Sequence, residues 1–199
     1  MENGNRTARK TSKREAIMDA AIELFSCKGY HNTHMEEIAI TAGAGKGTIY
    51  EYFASKLELF QEILYTGWRR IQEHIPMEQI EHMPVAEQLQ RMISGHLHFF
   101  QENRQLTRVS FLEADTIDQD LMAWTLKIKA EKERQLQELI EKGIKRGELR
   151  DDLDAGLISR MICALIPYFA GCVVMSEEEF DPQQLAAQIT SAIINGIKK

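Results

Sequence analysis

Gly43-Ala44-Gly45-Lys46-Gly47-Thr48-Ile49-Tyr50-Glu51-Tyr52-Phe53-Ala54-Ser55-Lys56 decides how the rest of the chain is read. Gly43 can take the positive φ that ends one helix, and Gly45 is an acceptable N-cap for the next, so two helices can meet at a steep angle within a few residues. The second helix is predicted over residues 46–53. Ile49 and Phe53 fall at i and i+4 and bury one face, which turns Lys46, Gly47, Thr48, Tyr50 and Glu51 outward. A helix this short suits a major groove, with its first turn against base edges and phosphates. Tyr50 and Tyr52 can donate phenolic hydrogen bonds to phosphate, and Lys56 supplies a positive charge just past the helix. Gly47, with no side chain, permits close backbone approach to DNA.

The preceding helix starts at Thr33-His34-Met35-Glu36, read as a capping box with Thr33 as cap and Glu36 reaching back, and it ends at Gly43. Met35, Ile38 and Ala39 form its apolar side. Ser12-Lys13-Arg14-Glu15 reads as a second box, after which Ile17, Ala20, Ala21, Leu24 and Phe25 recur at helical spacing until Lys28 and Gly29 close the helix. Three helices are thus expected before position 54, the last two in helix-turn-helix arrangement.

Residues 13–60, from Lys-Arg-Glu-Ala-Ile-Met-Asp-Ala-Ala-Ile-Glu-Leu-Phe through Lys-Gly-Tyr to Gly-Thr-Ile-Tyr-Glu-Tyr-Phe-Ala-Ser-Lys-Leu-Glu-Leu-Phe, resemble the DNA-binding domain of the tetracycline-repressor (TetR) family. The resemblance implies an all-helical homodimer that binds a palindromic operator, with the remaining helices dimerising and binding a small molecule that releases the DNA. It places Lys46, Gly47, Thr48 and Tyr50 at the operator and Tyr52 and Lys56 on phosphates. Thr33 and His34 complete the candidate DNA contacts. Where the family usually has Val-Ser before the Lys-Gly, this chain has Ala44-Gly45, so one capping hydroxyl that could touch phosphate is missing.

The expected fold is all-α: a flexible basic arm over 1–11, a helix-turn-helix domain over 12–54, and a larger helical effector-binding and dimerisation domain over 55–199. At 199 residues and 44% hydrophobic composition the chain can form both cores. The net charge of −6 has the wrong sign for a protein that coats nucleic acid nonspecifically, but it is unevenly spread. Residues 1–56 hold eight Lys or Arg against seven Asp or Glu, whereas the rest hold sixteen against twenty-three. Arg6, Arg9, Lys10, Lys13 and Arg14 face only Glu2, and such an arm could follow a groove. An acidic body favours specificity by repelling DNA away from the docking face.

From Ser55 onward the pattern is helical throughout. Ser55 and Glu58 open a helix carrying Leu57, Phe60, Ile63, Leu64, Trp68 and Ile71, the expected connection between domains and lever of the response. Residues 85–102 carry Leu89, Met92, Ile93, His96, Leu97 and Phe100, and a shorter segment runs through Phe111 and Leu112. A long helix from about Asp118 to Lys145 has Leu136, Leu139, Ile140 and Ile144 on one side, with Lys132, Glu133, Glu141 and Lys142 read as a solvated face, and Gly147 ends it. Asp152 and Asp154 open the next helix and Pro182 the last. These final two are too apolar for a monomer, and the resemblance implies a four-helix dimer interface from them. The candidate interface residues are Ile158, Ile162, Leu165, Phe169, Leu185, Ile189 and Ile193, with Ile189→Asp expected to split the dimer. Trp68, Met92, His96, Phe99, Phe100, Phe111, Met122, Trp124 and Tyr168 lie where the resemblance places the effector cavity, and their character favours an apolar or aromatic effector.

Residues 1–16 contain no apolar run of signal-peptide length, and a cytoplasmic location is expected. The uncharged stretch 161–176 contains Pro167 and is shorter than the roughly 20 residues of a span, so a buried helix is expected and no membrane partner. His96 and His98 point to different sides of a helix, Cys27, Cys163 and Cys172 lack ligand spacing, and no metal or cofactor is expected. No phosphate loop, nucleophile elbow or His-Glu-x-x-His pair is present, so the chain is not expected to be an enzyme. The reading is a ligand-responsive transcriptional regulator, expected as a repressor, with double-stranded DNA, a second copy of itself and a small molecule as partners. The alternatives are a thiol-based redox regulator and a helical small-molecule-binding protein without DNA function.

Overall fold

The computed structural model describes residues 2–75, 80–113, 119–176 and 180–197, with the side chains of 2–11, His74, Leu112 and Glu113 outside the description. Nine α-helices are described: α1 (Glu2–Lys28), α2 (Met35–Thr41), α3 (Lys46–Tyr52), α4 (Lys56–His74), α5 (Val85–Glu102), α6 (Arg104–Arg108), α7 (Gln119–Lys145), α8 (Ala155–Met175) and α9 (Pro182–Ile197). A π-helical turn, Val109–Glu113, follows α6. The fold is all-α, as expected, with no strand among the described residues. The chain divides into two compact units, Met1–Trp68 with Gln105–Leu121, and Arg69–Arg104 with Met122–Lys199.

In the first unit α1 runs straight through Ser12, so the capping box read there does not start a helix, and the backbone of the expected arm is helical from Glu2. The side chains of Arg6, Arg9 and Lys10 lie outside the described residues. The core is built from one face of each helix: Ile17, Ala21 and Phe25 of α1, Ile38 and Ala39 of α2, Ile49 of α3, then Phe53, Leu59, Phe60 and Ile63, all at most 1% exposed. Phe25, Tyr30 and Phe60 pack ring to ring with centroids 5.1–5.5 Å apart. At the start of α4 the Ser55 hydroxyl accepts from the Glu58 amide at 3.1 Å, as the sequence predicted, while the Glu58 carboxylate accepts from Ala54 rather than Ser55, at 2.7 Å.

In the second unit Gly143 of α7 faces Val85 of α5. A Cβ on Gly143 would stand 2.7 Å from Val85 Cγ2, so only glycine fits without displacement. Val85, Leu89, Leu136, Leu139, Ile140, Leu149, Ile162 and Ile197 form one core cluster. A second comprises Ile93, Leu97 and Ala186, with Phe169, Phe180, Leu185, Ile189 and Ile193 packed on it. Gly147, at φ +72°, ends α7 as predicted. Asp154 caps α8 by accepting from the Leu157 amide at 2.9 Å. Asp181 accepts from the Gln183 and Gln184 amides at the start of α9, a cap the sequence reading did not single out.

The expectation for α8 needs correcting. Only Ser159, Ile162, Ala170 and Val173 are buried within one chain, so this is not a buried helix. By length and composition Ala155–Met175 could cross a membrane, with a mean hydropathy of 1.9 and 22% of that window buried. Its outer face carries Leu157, Met161, Tyr168 and Met175, between 51% and 77% exposed.

Candidate DNA interface and effector cavity

The turn between α2 and α3 closes as the glycines predicted. Gly43 has φ +63°, the left-handed conformation that a Cβ disfavours. Its amide donates to the Ile40 carbonyl at 3.0 Å and that of Ala44 to the Ala39 carbonyl at 2.8 Å, the paired bonds of a Schellman motif. Gly45 is the N-cap of α3, with extended φ and ψ and no side-chain cap. Ile49 and Phe53 point into the core, while Lys46, Gly47 and Tyr50 are exposed and Thr48 and Tyr52 half-buried. A Cβ on Gly47 would meet nothing within 4 Å, so nothing inside the fold calls for glycine there.

Two expected DNA contacts stand differently from the reading. Thr33 is wholly buried, and its hydroxyl donates to the Gly29 carbonyl at 2.8 Å, which ties the end of α1 to the start of α2. The capping box therefore shifts by one residue. His34 is the N-cap and exposed, its amide donating to Glu37 Oε2 at 2.9 Å, and Glu37 is held by Lys28 at 2.7 Å. The second is Lys56. Its amine donates to the Tyr30 and Thr33 carbonyls at 2.7 and 2.8 Å and sits 4.3 Å from the Tyr30 ring centroid, so all three hydrogens have partners. Burial lowers its pKa. It braces the loop between α1 and α2 from inside, which takes it away from phosphate.

Lys46 is paired with Glu36 of α2 at 3.1 Å, both side chains largely in solvent. A backbone hydrogen bond at Glu36 itself and then Lys46 hold that carboxyl below the ordinary carboxylate range. Glu36 therefore competes with DNA for the one lysine on α3. Glu36→Gln is expected to tighten DNA binding by about two- to fivefold at low salt, the scale of an exposed ion pair. Titration of a labelled operator at two salt concentrations checks this, and equal affinities at both would refute the competition.

The second unit holds a narrow, partly open cavity of about 10 Å³, space for the centre of about one water. Of the nine expected pocket residues, His96 and Phe100 line it. The others at its wall are aliphatic or were assigned elsewhere: Ile93, Leu97, Ile162, Leu165, Ile166, Phe169 and Ile189. Phe99 is buried and Met92 packs on the core cluster beside it. Tyr168 is 66% exposed and turned outward, Met122 is exposed and Trp124 half-buried. Trp68 and Phe111 belong to the first unit, where Trp68 Nε1 is buried without a hydrogen-bond partner. Of the expected dimer residues only Ile162 is fully buried, and the other six are half-buried. Ile162 is core, Leu165, Phe169 and Ile189 line the cavity, and Ile158, Leu185 and Ile193 pack against the two clusters. Of the thiols, Cys27 and Cys172 are exposed and Cys163 is half-buried, its pKa raised by burial.

Residues 17–63 match the pattern described as bacterial regulatory proteins of the tetR family. Residues 60–196 match that of the YsiA-like protein C-terminal region. The chain is 29% identical over 192 residues to the fatty acid metabolism regulator protein of Bacillus subtilis, covering 94% of this chain and 97% of that one. Its fold superposes on the fatty acid degradation regulator FadR from Bacillus halodurans with a TM-score of 0.80 at 25% identity, over 92% of this chain and 95% of that one. It superposes on FadR from Bacillus subtilis in complex with stearoyl-CoA with a TM-score of 0.79 at 27% identity, over 92% and 98% of the two chains. Helices α2 and α3 lie within the stretch that matches the tetR pattern, and the chain belongs to the tetR family of DNA-binding transcriptional regulators.

Proposed function

We propose that this protein is a homodimeric repressor whose effector is a long-chain acyl compound held in the second unit. The observation that carries the effector reading is the narrow cavity of the second unit, whose wall is apolar except for His96. The stearoyl-CoA bound to the Bacillus subtilis relative supports an acyl chain as the occupant. The cavity measures about 10 Å³, so an acyl chain must part the helices around it. A ligand that fits better when DNA affinity is low shifts the equilibrium by that difference in affinity alone.

Lys46, Thr48, Tyr50, Tyr52 and His34 are the side chains proposed to meet DNA, with Gly47 allowing the backbone of α3 to approach it. The domain division is proposed as 12–54 for the DNA-reading head and 55–199 for effector binding and dimerisation, with 1–11 as an extension of the head. The outer face of α8 is proposed to pack on its counterpart in a second copy, as the burial that a helix this apolar requires. The protein is proposed to act in the bacterial cytoplasm. Selecting bound fragments from a random DNA pool tests the reading. A palindromic site with two half-sites one helical turn apart, or a multiple of that, is expected, and recovery of unrelated sequences would refute specific DNA binding.

A further inference from the structure

The sequence reading placed Lys132 on a solvated face of α7, but its register says otherwise. It follows Ile128 and precedes Leu136, Leu139 and Gly143 on the inward stripe, and it is half-buried. Gly143 faces Val85, and Leu136 and Leu139 share a cluster with Leu89, so α5 and α7 run antiparallel. Eleven residues along α5 from Val85 stands His96, and eleven back along α7 from Gly143 stands Lys132, each about 16 Å from the starting point. The two are therefore level. On the other flank Gly156 lies beside Gln137 and Arg160 pairs with Glu133 at 3.4 Å, so α8 is also antiparallel to α7 and brings Cys163 alongside.

The chemistry of this spot is unbalanced. Burial lowers the Lys132 amine to about 8, and no carboxylate or hydrogen-bond acceptor holds it among the described residues. The adjacent carboxylate, Glu133, is engaged by Arg160. His96 donates from Nδ1 to the Met92 carbonyl at 2.8 Å, which leaves Nε2 as an acceptor. Burial, then the Lys132 charge, hold its pKa near 4, so it is neutral. A cation on an apolar stripe, level with a neutral imidazole that lines the cavity, lacks an anion among the described residues.

We infer that Lys132 and His96 form the polar end of the effector site, Lys132 pairing with the carboxylate of a ligand whose apolar body fills the cavity. The inference rests on the acyl-effector reading and narrows it to a free long-chain carboxylate. The ammonium of Lys132 can donate to both the carboxylate and His96 Nε2, so the head group needs no proton transfer.

Calorimetric titration of the full chain with dodecanoate, 1-dodecanol and lauroyl-CoA, each below its micelle concentration, tests this. The wild type is expected to bind dodecanoate at least about tenfold more tightly than the alcohol, as befits a charge-assisted bond. Lys132→Met should erase that preference, costing dodecanoate far more affinity than the alcohol, and should raise the melting temperature, because it removes an unpaired half-buried charge. Lys132→Arg should retain part of the preference. Equal binding of acid and alcohol by the wild type, or an undiminished preference in Lys132→Met, overturns the inference. Binding of lauroyl-CoA without the acid overturns it too but leaves the acyl-effector reading standing, whereas failure of all three ligands overturns both.

Discussion

Met161→Glu with Tyr168→Glu is expected to turn the protein into a folded monomer that no longer holds its operator. The two side chains are 58% and 66% exposed, so neither change disturbs packing within one chain. In a two-fold dimer each charge appears twice on an apolar surface, at a cost of several kcal/mol. The monomer retains one recognition helix, and losing the linked second half-site lowers affinity by about a hundredfold or more. Sedimentation velocity and operator titration check both halves of the prediction. A variant that stays dimeric would move the interface off this face. Ile189→Asp, which the sequence alone suggested for this purpose, is a less selective probe: Ile189 is half-buried, packs on a core cluster and lines the cavity, so its replacement is expected to destabilise the second unit as well.

Lys56→Met is expected to destabilise the DNA-reading head by about 1–3 kcal/mol, the cost of leaving half-buried carbonyls without their donor. Tyr30 and Thr33 carbonyls lose the amine, and the Tyr30 ring loses its cation. Because those contacts hold the loop in front of α2, DNA affinity falls as well. The salt dependence of binding is expected to keep its slope, since no phosphate contact is removed. Thermal melts followed by titrations at several salt concentrations separate the two effects. A slope flattened by about one unit, with an unchanged melting temperature, would return Lys56 to the phosphates.

The helix-turn-helix was legible because its signals are local. Gly43, Gly45, Ile49 and Phe53 fix the turn and the inner face of α3 within eleven residues. Lys56 was misread because its partners lie 26 and 23 residues away, and no spacing rule reports a lysine turned back on an earlier loop. Thr33 was misread by one residue, since its hydroxyl bonds backward to Gly29 instead of capping α2. Helix α8 is apolar on every side, so periodicity could not tell the face that packs within one chain from the face left for another. Leu157, Met161, Tyr168 and Met175 needed coordinates to emerge as the outer stripe. Lys132 was hidden in the run Lys132-Glu133-Arg134, where a charge on the inward stripe looks like one more solvated side chain. Aromatic residues drew the pocket reading, while the wall is mostly aliphatic.

The central claim is that occupation of the cavity in the second unit and grip on DNA by the first are coupled. Fluorescence anisotropy of a labelled operator fragment, titrated with protein in the absence and presence of saturating long-chain acyl ligand, measures that coupling. The ligand is predicted to weaken operator binding by at least about tenfold, and the operator to weaken ligand binding by the same factor, as linkage requires. A ligand that binds stoichiometrically and leaves operator affinity unchanged would contradict the account.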